Sequence, residues 1–231
     1  MPTGSRMVEL ARQHVGDEYE NILVPKNNAN WHGPWDCAEF MSWLVFQEAG
    51  ILYGCFDSRA NPALAEAYTG AWRTDSANLG RRIAPEKAAA IVGGFLLRFP
   101  PGPNKMGHIA ICDGQGGTVE AKSHREGVVA DTVRGRRWDT GILIPGVTYD
   151  ENVEPLPLGA VRVVRMGAQN DPAIVRKIQL ALEEAHIDSG GVDGKFGPKT
   201  TAAVAAFQRL KGLVVDGEVG PQTAAALGIQ L

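Results

Sequence analysis

Cysteine is scarce in this sequence. The chain has only three cysteines, Cys37, Cys55 and Cys112, and no two of them form a C-x-x-C pair. An odd number of isolated cysteines excludes a disulfide framework and a cysteine-based zinc cage. Any chemistry carried by a cysteine must therefore come from a single thiol with non-cysteine partners.

Long apolar runs are missing as well. No run approaches the roughly 18 apolar residues of a membrane-spanning helix, so we predict no membrane span. Residues 1–16, MPTGSRMVELARQHVG, are charged and contain no apolar core of a signal peptide. We therefore expect a chain made in the cytoplasm without a signal peptide.

The chain has no basic excess. It carries 23 Lys and Arg against 26 Asp and Glu, a net charge of -3, which argues against nucleic acid as a partner. With 44% hydrophobic and 21% charged residues the composition is that of a globular protein rather than a disordered one.

The C-terminal part contains an internal repeat. VDGKFGPKTTAAV (192–204) and VDGEVGPQTAAAL (215–227) each combine an Asp-Gly turn with a Gly-Pro helix start. A helical pattern precedes the first copy, and Gly212 is predicted to end the helix that follows it. The predicted inward positions are Ile174, Val175, Ile178, Leu182, Val204, Phe207 and Leu210. We predict a small three-helix, all-α domain over 161–231.

The N-terminal part follows an α+β pattern. A helix is predicted over 37–49, and the strand candidates are 95–99, 108–112, 118–122, 127–131 and 142–145. Helices followed by a run of strands predict an antiparallel sheet. Residues 57–94 are alanine-rich and receive no assignment. The Pro- and Gly-rich stretch IPGVTYDENVEPLPLGA favours a linker, so we predict domains over 1–147 and 161–231, joined by 148–160.

Cys37 lies at the start of the predicted helix, in the stretch WDCAEFMSWLVFQEAG. Asp36 is a candidate N-cap, and the N–H groups and dipole of a helix N-terminus stabilise a thiolate. Cys37 is therefore a candidate nucleophile. The alternative is a buried thiol that only fills space, since free cysteine is among the most buried residue types.

The stretch GHIAICDGQGGTVEAKSH (107–124) predicts a β-hairpin. Alternation along its strands places His108 on the same face as Glu120 and His124. A histidine facing a carboxylate is the base and orienting group that cysteine catalysis requires, with Glu120 ranked before His124. Cys55 and Cys112 are interpreted as core thiols.

The other histidines, His14, His32 and His186, show no convergent partners in the sequence and are interpreted as surface or structural residues. No HExxH pattern or comparable zinc motif is present, so no metal and no cofactor are expected.

These residues together resemble the NlpC-type cysteine peptidases, a papain-like family of bacterial cell-wall endopeptidases. GDEY corresponds to the family tyrosine at Tyr19, WDCAEF to the nucleophile at Cys37, GHIAI to the base at His108 and TVEAK to the third polar residue at Glu120. The resemblance covers most of 5–147. It implies a papain-like catalytic domain in which Tyr19 helps to bind the oxyanion, and cleavage of the γ-D-glutamyl–diamino acid bond.

The sequence departs from this family at several positions. Ala38 and Glu39 replace the usual Ser-Gly after the cysteine, and both positions shape the substrate cleft in the family. Gly94-Phe95 stands where Gly-Asp is customary, and Glu120 is a carboxylate where histidine is frequent. These differences leave the identity of the cleaved bond open.

The C-terminal repeat resembles the peptidoglycan-binding domain type one nearly throughout 162–228, which implies bacterial peptidoglycan as the partner. The combined expectation is a monomeric, bacteriolytic peptidoglycan hydrolase that reaches the cell wall by phage-type release, as an endolysin, or by injection as an antibacterial effector. Two alternatives stay open at this point: an N-acetylmuramoyl-L-alanine amidase with the same nucleophile, and a non-catalytic cell-wall-binding protein.

Overall fold

The computed structural model describes residues 1–57, 59–100, 107–159 and 163–231. Contacts divide the chain into two compact units. The first unit comprises Met1–Arg134 and Trp138–Leu158, and the second comprises Gly135–Arg137 and Gly159–Leu231. The predicted boundary between residues 160 and 161 lies outside the described residues. Among the described helices, none has the length and apolar character needed to cross a membrane.

The first unit is an α+β fold built on a six-stranded antiparallel sheet, as predicted. The sheet order is β1-β6-β2-β3-β4-β5. Its elements are α1 (Gly4–Arg12), α2 (Cys37–Ala49), α3 (Thr69–Asn78), β1 (Arg81–Ile83), α4 (Pro85–Ala90), β2 (Val92–Arg98), β3 (His108–Asp113), β4 (Gly117–Ser123), β5 (Gly127–Thr132) and β6 (Thr140–Leu143). All five predicted strands are present, whereas β1, α3 and α4 lie in the segment that had no assignment.

Asp36 caps the N-terminus of helix α2, and Gly50 caps its C-terminus. Oδ1 of Asp36 accepts hydrogen bonds from the backbone N–H groups of Ala38 and Glu39, both at 2.8 Å. Gly50 adopts the left-handed conformation at the C-terminus, with φ of 68°, which glycine tolerates without steric cost. The helix packs against β3 and β4. This packing places its first residue, Cys37, beside the sheet.

The two faces of the sheet bury different side chains because successive residues of a strand point in opposite directions. One face packs against α2, and its buried residues include Leu97, Ile109 and Ile111. The opposite face buries Ala110 and Cys112 against the alanines of α4. Cys112 and Cys55 are both buried, as expected for core thiols.

The described residues of the second unit form three helices, α5 (Pro172–Glu184), α6 (Pro198–Lys211) and α7 (Pro221–Ala226). Six of the predicted inward residues are buried or packed against its core. The prediction was wrong for Leu210, which is 67% exposed. Each residue advances a helix by about 100°, so a three-residue spacing drifts by about 60° per step away from the face that Val204 and Phe207 bury.

A buried glutamine holds each Asp-Gly turn of the repeat. The side-chain amide of Gln179 donates to Asp193 at 2.8 Å and its oxygen accepts from the Gly194 N–H at 2.9 Å. Gln208 repeats the pattern, donating to Asp216 at 2.6 Å and accepting from the Gly217 N–H at 2.8 Å. The repeated Asp and Gly residues therefore act as turn formers in this unit.

Candidate active site

Cys37 occupies the first position of α2, with only 3% of its surface exposed. The backbone N–H of Ile109 lies near enough to its sulfur to lower the pKa of the thiol. Ile109 follows His108 directly in β3, so the thiol lies against the start of the strand that carries the candidate base. A helix and a strand distant in sequence thus bring these two candidates into one neighbourhood.

Burial raises the pKa of the Cys37 thiol to about 12, and the negative charge of Asp36 adds to this effect. The N–H of Ile109 and the guanidinium of Arg98 act in the opposite direction without reversing it. The position of Cys37 at a helix start predicts a stabilised thiolate. In the structure, burial of the sulfur acts against this, because it raises the pKa of the thiol.

His108 and Glu120 lie on neighbouring strands, β3 and β4, and their side chains are in contact. Nε2 of the imidazole is hydrogen-bonded to Oε2 of the carboxylate, and the two side chains are 3% and 0% exposed. The other carboxylate oxygen, Oε1, accepts a hydrogen bond of 2.6 Å from the hydroxyl of Thr118. Glu120 is therefore fixed on both sides, and it fixes the orientation of the imidazole ring.

His124, the second candidate for orienting His108, has a different neighbour. Its ring lies 5.0 Å from the ring of Tyr19 in an edge-to-face arrangement, and the residue is exposed. Of the two alternatives considered from the sequence, the carboxylate is the one that contacts the imidazole.

Tyr19 lies close to Cys37 because Tyr19 forms a parallel β-bridge with Trp35, in the segment that precedes the cysteine. The residues flanking Tyr19 exchange backbone hydrogen bonds of 3.0 Å with Trp35, two positions before the cysteine. Burial raises the pKa of the Tyr19 hydroxyl, and the nearby Cys37 and Asp36 raise it further. The hydroxyl therefore keeps its proton and is a hydrogen-bond donor at neutral pH.

Arg98 is a residue that the sequence analysis did not single out. It lies directly opposite His108 in the antiparallel pairing of β2 with β3, and its charge lowers the pKa of Cys37. Arg98 lies at this site because of the register in which β2 pairs with β3. Strand 95–99 was predicted, but its partner residues could not be derived from its own pattern.

A groove of about 290 Å³ opens beside the cysteine. Residues that line it include Asp36, Cys37, Glu39, Glu66, Tyr68 and Gly107. The groove therefore gives a space next to the thiol in which part of a substrate can lie.

Glu39, which lines this groove, forms a buried ion pair with Lys26. The Lys26 ammonium is fully buried, contacts Oε2 of Glu39, and donates to the carbonyls of Val24 and Ala65 at 2.9 and 2.8 Å. Oε1 of Glu39 accepts from the N–H of Ala67 at 2.6 Å. The pair connects α2 to two loops, a role that no local motif in the sequence indicates.

His14 and His32 have a convergent partner, contrary to the sequence analysis. Nδ1 of His14 lies 2.8 Å from Oδ2 of Asp17, and the rings of His14 and His32 are 5.4 Å apart. The loop that follows α1 turns back on itself and brings these three residues together. His186 is exposed and adopts a left-handed backbone conformation with φ of 59°.

Comparison with known proteins gives one match by sequence family. Residues 172–227 match the model of a family described as "Putative peptidoglycan binding domain". No curated protein matches the chain.

Solved structures similar to the chain include three described as NlpC or P60 domains. The NlpC/p60 domain of the peptidoglycan hydrolase SagA is 19% identical, with a TM-score of 0.42, over 62% of this chain and 99% of that one. NlpC2 from Trichomonas vaginalis is 16% identical, with a TM-score of 0.41, over 62% of this chain and 46% of that one. The P60 domain of an antigen from M. avium subspecies paratuberculosis is 20% identical, with a TM-score of 0.38, over 61% of this chain and 96% of that one.

Residues 172–227 are thus similar to a family described as a peptidoglycan binding domain, and the chain is similar in structure to domains described as NlpC and P60.

Proposed function

We propose that this protein is a peptidoglycan hydrolase, a cysteine peptidase that cleaves a stem-peptide amide with Cys37, His108 and Glu120. One observation carries the proposal. Glu120 holds the imidazole of His108 through Nε2, and the backbone N–H of the next residue, Ile109, lies near enough to the Cys37 sulfur to affect its pKa. A nucleophile beside a base that is oriented by a third group is the arrangement used in covalent amide hydrolysis.

In the proposed mechanism Nδ1 of His108 takes the proton of the Cys37 thiol. The sulfur attacks the amide carbonyl carbon and a tetrahedral oxyanion forms. His108 then donates the proton to the leaving amine, and the C–N bond breaks to leave a thioester. His108 next takes a proton from water, whose oxygen attacks the thioester carbonyl carbon. The C–S bond breaks, His108 returns the proton to the sulfur, and a carboxylic acid and the free thiol are released.

The raised pKa of Cys37 determines when the thiol is activated. A neutral, desolvated thiol is unreactive until a base removes its proton, so we place deprotonation within the substrate-bound step. The backbone N–H of Cys37 belongs to the first turn of α2, where N–H groups have no acceptor within the helix. This group and the Tyr19 hydroxyl are the proposed donors to the oxyanion.

The C-terminal match supports peptidoglycan as the substrate. A segment similar to a peptidoglycan binding domain would hold the hydrolase on its polymer and raise the local concentration of scissile bonds. We propose the bond between γ-D-glutamate and the diamino acid as the target, with lysis of the cell as the outcome. The location of action is then the cell wall.

The test is digestion of purified sacculi, with the released fragments identified by mass spectrometry. We expect new N-termini on the diamino acid, no products from Cys37→Ala, and normal products from the matched control Cys55→Ala, which removes another buried thiol. New N-termini on L-alanine would instead identify an amidase. Retention on sacculi without any products would identify a non-catalytic binding protein.

A further inference from the structure

We propose that His14, Asp17 and His32 form a binding site for a divalent transition-metal ion such as zinc. One potential ligand atom from each of these side chains lies within 4.8 Å of the other two. Two histidines and one carboxylate are a ligand set that zinc uses when one coordination position stays open to water or substrate. None of these residues lines the groove beside Cys37, so the site is separate from the candidate active site.

The first two ligands are held in place before any ion binds. His14 is 2% exposed, and its ring is enclosed by the rings of Trp35 and Trp43 at 5.0 and 5.1 Å. The indole N–H of Trp35 donates to Oδ2 of Asp17 at 2.9 Å. Outer hydrogen bonds of this kind orient metal ligands and increase affinity.

The third ligand closes the site. His32 is exposed, so its ring can rotate toward the other two without disturbing the core. Zinc binds its nitrogen and oxygen ligands at about 2.0–2.2 Å, which sets two ligand atoms of a tetrahedral site roughly 3.3–3.6 Å apart. Closure therefore requires His32 to approach, while Nδ1 of His14 and Oδ2 of Asp17, now 2.8 Å apart, separate slightly. An ion between Nδ1 of His14 and Oδ2 of Asp17 would replace the hydrogen bond that now joins these atoms, and the neutral ring would then carry its proton on Nε2.

At this position a bound ion would connect two segments of the first unit. Asp17 accepts from Trp35 through its side chain and from the Val128 N–H through its carbonyl at 2.9 Å. Trp35 directly precedes Asp36, the N-cap of the helix that begins with Cys37. A bound ion would join the end of α1 to the segment before α2 and stabilise the loop between them.

The experiment uses the full chain after treatment with a chelator. Zinc is titrated by calorimetry, cobalt(II) is added as a visible-absorption probe of the coordination, and thermal unfolding is recorded with and without zinc. We expect one zinc per chain, a cobalt spectrum of a nitrogen- and oxygen-ligated site, and a rise in the unfolding temperature on zinc addition.

Two variants decide the outcome. His32→Ala removes an exposed ligand and leaves the His14–Asp17 hydrogen bond, so it should fold normally by circular dichroism and bind zinc more weakly by more than about tenfold. His186→Asn is the matched control, because it removes an exposed histidine of the second unit and asparagine tolerates the left-handed backbone there. Equal zinc affinity in His32→Ala and the unmodified chain, or no binding by the unmodified chain, would overturn the proposal.

Discussion

Nε2 of His108 is hydrogen-bonded to the carboxylate of Glu120, and both side chains are removed from solvent. This contact uses one ring nitrogen for orientation and makes Nδ1 the nitrogen that would exchange a proton with Cys37. In the proposed mechanism the carboxylate would also stabilise the imidazolium that forms when the thiol proton is transferred. The proposed chemistry therefore depends on a negative charge at residue 120.

Glu120→Gln tests this charge. The amide has the same shape as the carboxylate but cannot stabilise an imidazolium, so we expect kcat on sacculi to fall on the order of 100-fold or more, with little change in KM. Glu126→Gln is the control, since that carboxylate is exposed and pairs with Lys122. Unchanged kcat in Glu120→Gln, with intact structure by circular dichroism, would remove Glu120 from the mechanism.

The pKa of Cys37 predicts how its alkylation depends on pH. Because burial raises this pKa to about 12, the thiolate fraction of the folded chain should still increase between pH 8 and 10. Iodoacetamide labelling at Cys37, quantified by peptide mass spectrometry, should accelerate up to tenfold per pH unit over this range. The unfolded chain ionises this thiol at a lower pH than the folded chain does. The free energy of unfolding should therefore also fall as pH rises from about 9. A labelling rate that is already constant by pH 7 would indicate a preformed thiolate–imidazolium pair instead.

The features of the site that could be predicted from the sequence depend on helix capping and on strand alternation, which involve residues close together in the chain. Asp36 and Gly50 define the ends of α2 because capping is a short-range effect, and the predicted helix matches the observed one residue for residue. Strand alternation placed His108 and Glu120 on one face, and the pairing of β3 with β4 then brought their side chains into contact.

The features that were missed depend on contacts between distant segments. The segment 57–94 contains α3, β1 and α4, but its alanine-rich pattern has no clear helical or strand period. Lys26 and Glu39 are charged residues that a sequence pattern assigns to the surface, and only the folded loops show that both are buried. The pKa of Cys37 likewise follows from burial, which the position of a cysteine at a helix start does not reveal.

The Lys26–Glu39 pair is predicted to stabilise the wall of the groove. Glu39→Gln leaves the ammonium of Lys26 buried without a counter-charge, and the expected loss in free energy of unfolding is roughly 3–5 kcal/mol. The double variant Lys26→Met/Glu39→Leu should recover much of this loss, because no unpaired charge remains. Urea unfolding followed by tryptophan fluorescence measures the first unit, since all five tryptophans lie there.

The exposed pair of Arg81 with Glu151 provides the matched comparison for that experiment. Glu151→Gln should cost no more than about 1 kcal/mol, because water screens an exposed ion pair. A loss for Glu39→Gln as small as that for Glu151→Gln would contradict a structural role for the buried pair.

Arg98→Gln tests the cation opposite His108. Loss of the guanidinium should raise the pKa of Cys37 further, so alkylation at a fixed pH and the rate of acylation should both fall, by roughly tenfold. Arg98→Lys keeps the positive charge and should restore most of the rate. If both variants lose activity equally while alkylation of Cys37 stays unchanged, Arg98 acts through its shape and not through its charge on the thiol.

The two buried glutamines predict matched effects in the second unit. Gln179→Ala removes the acceptor of the Gly194 N–H, and Gln208→Ala removes the acceptor of the Gly217 N–H, so each should destabilise this unit by roughly 1–3 kcal/mol. Backbone hydrogen exchange over 172–227 should accelerate in both variants, whereas peptides of the first unit should exchange unchanged. Retention on sacculi should fall in proportion to the fraction of this unit that unfolds, because a glutamine that holds a turn affects binding only through folding. Reduced retention with unchanged exchange would instead identify that glutamine as a contact to the polymer.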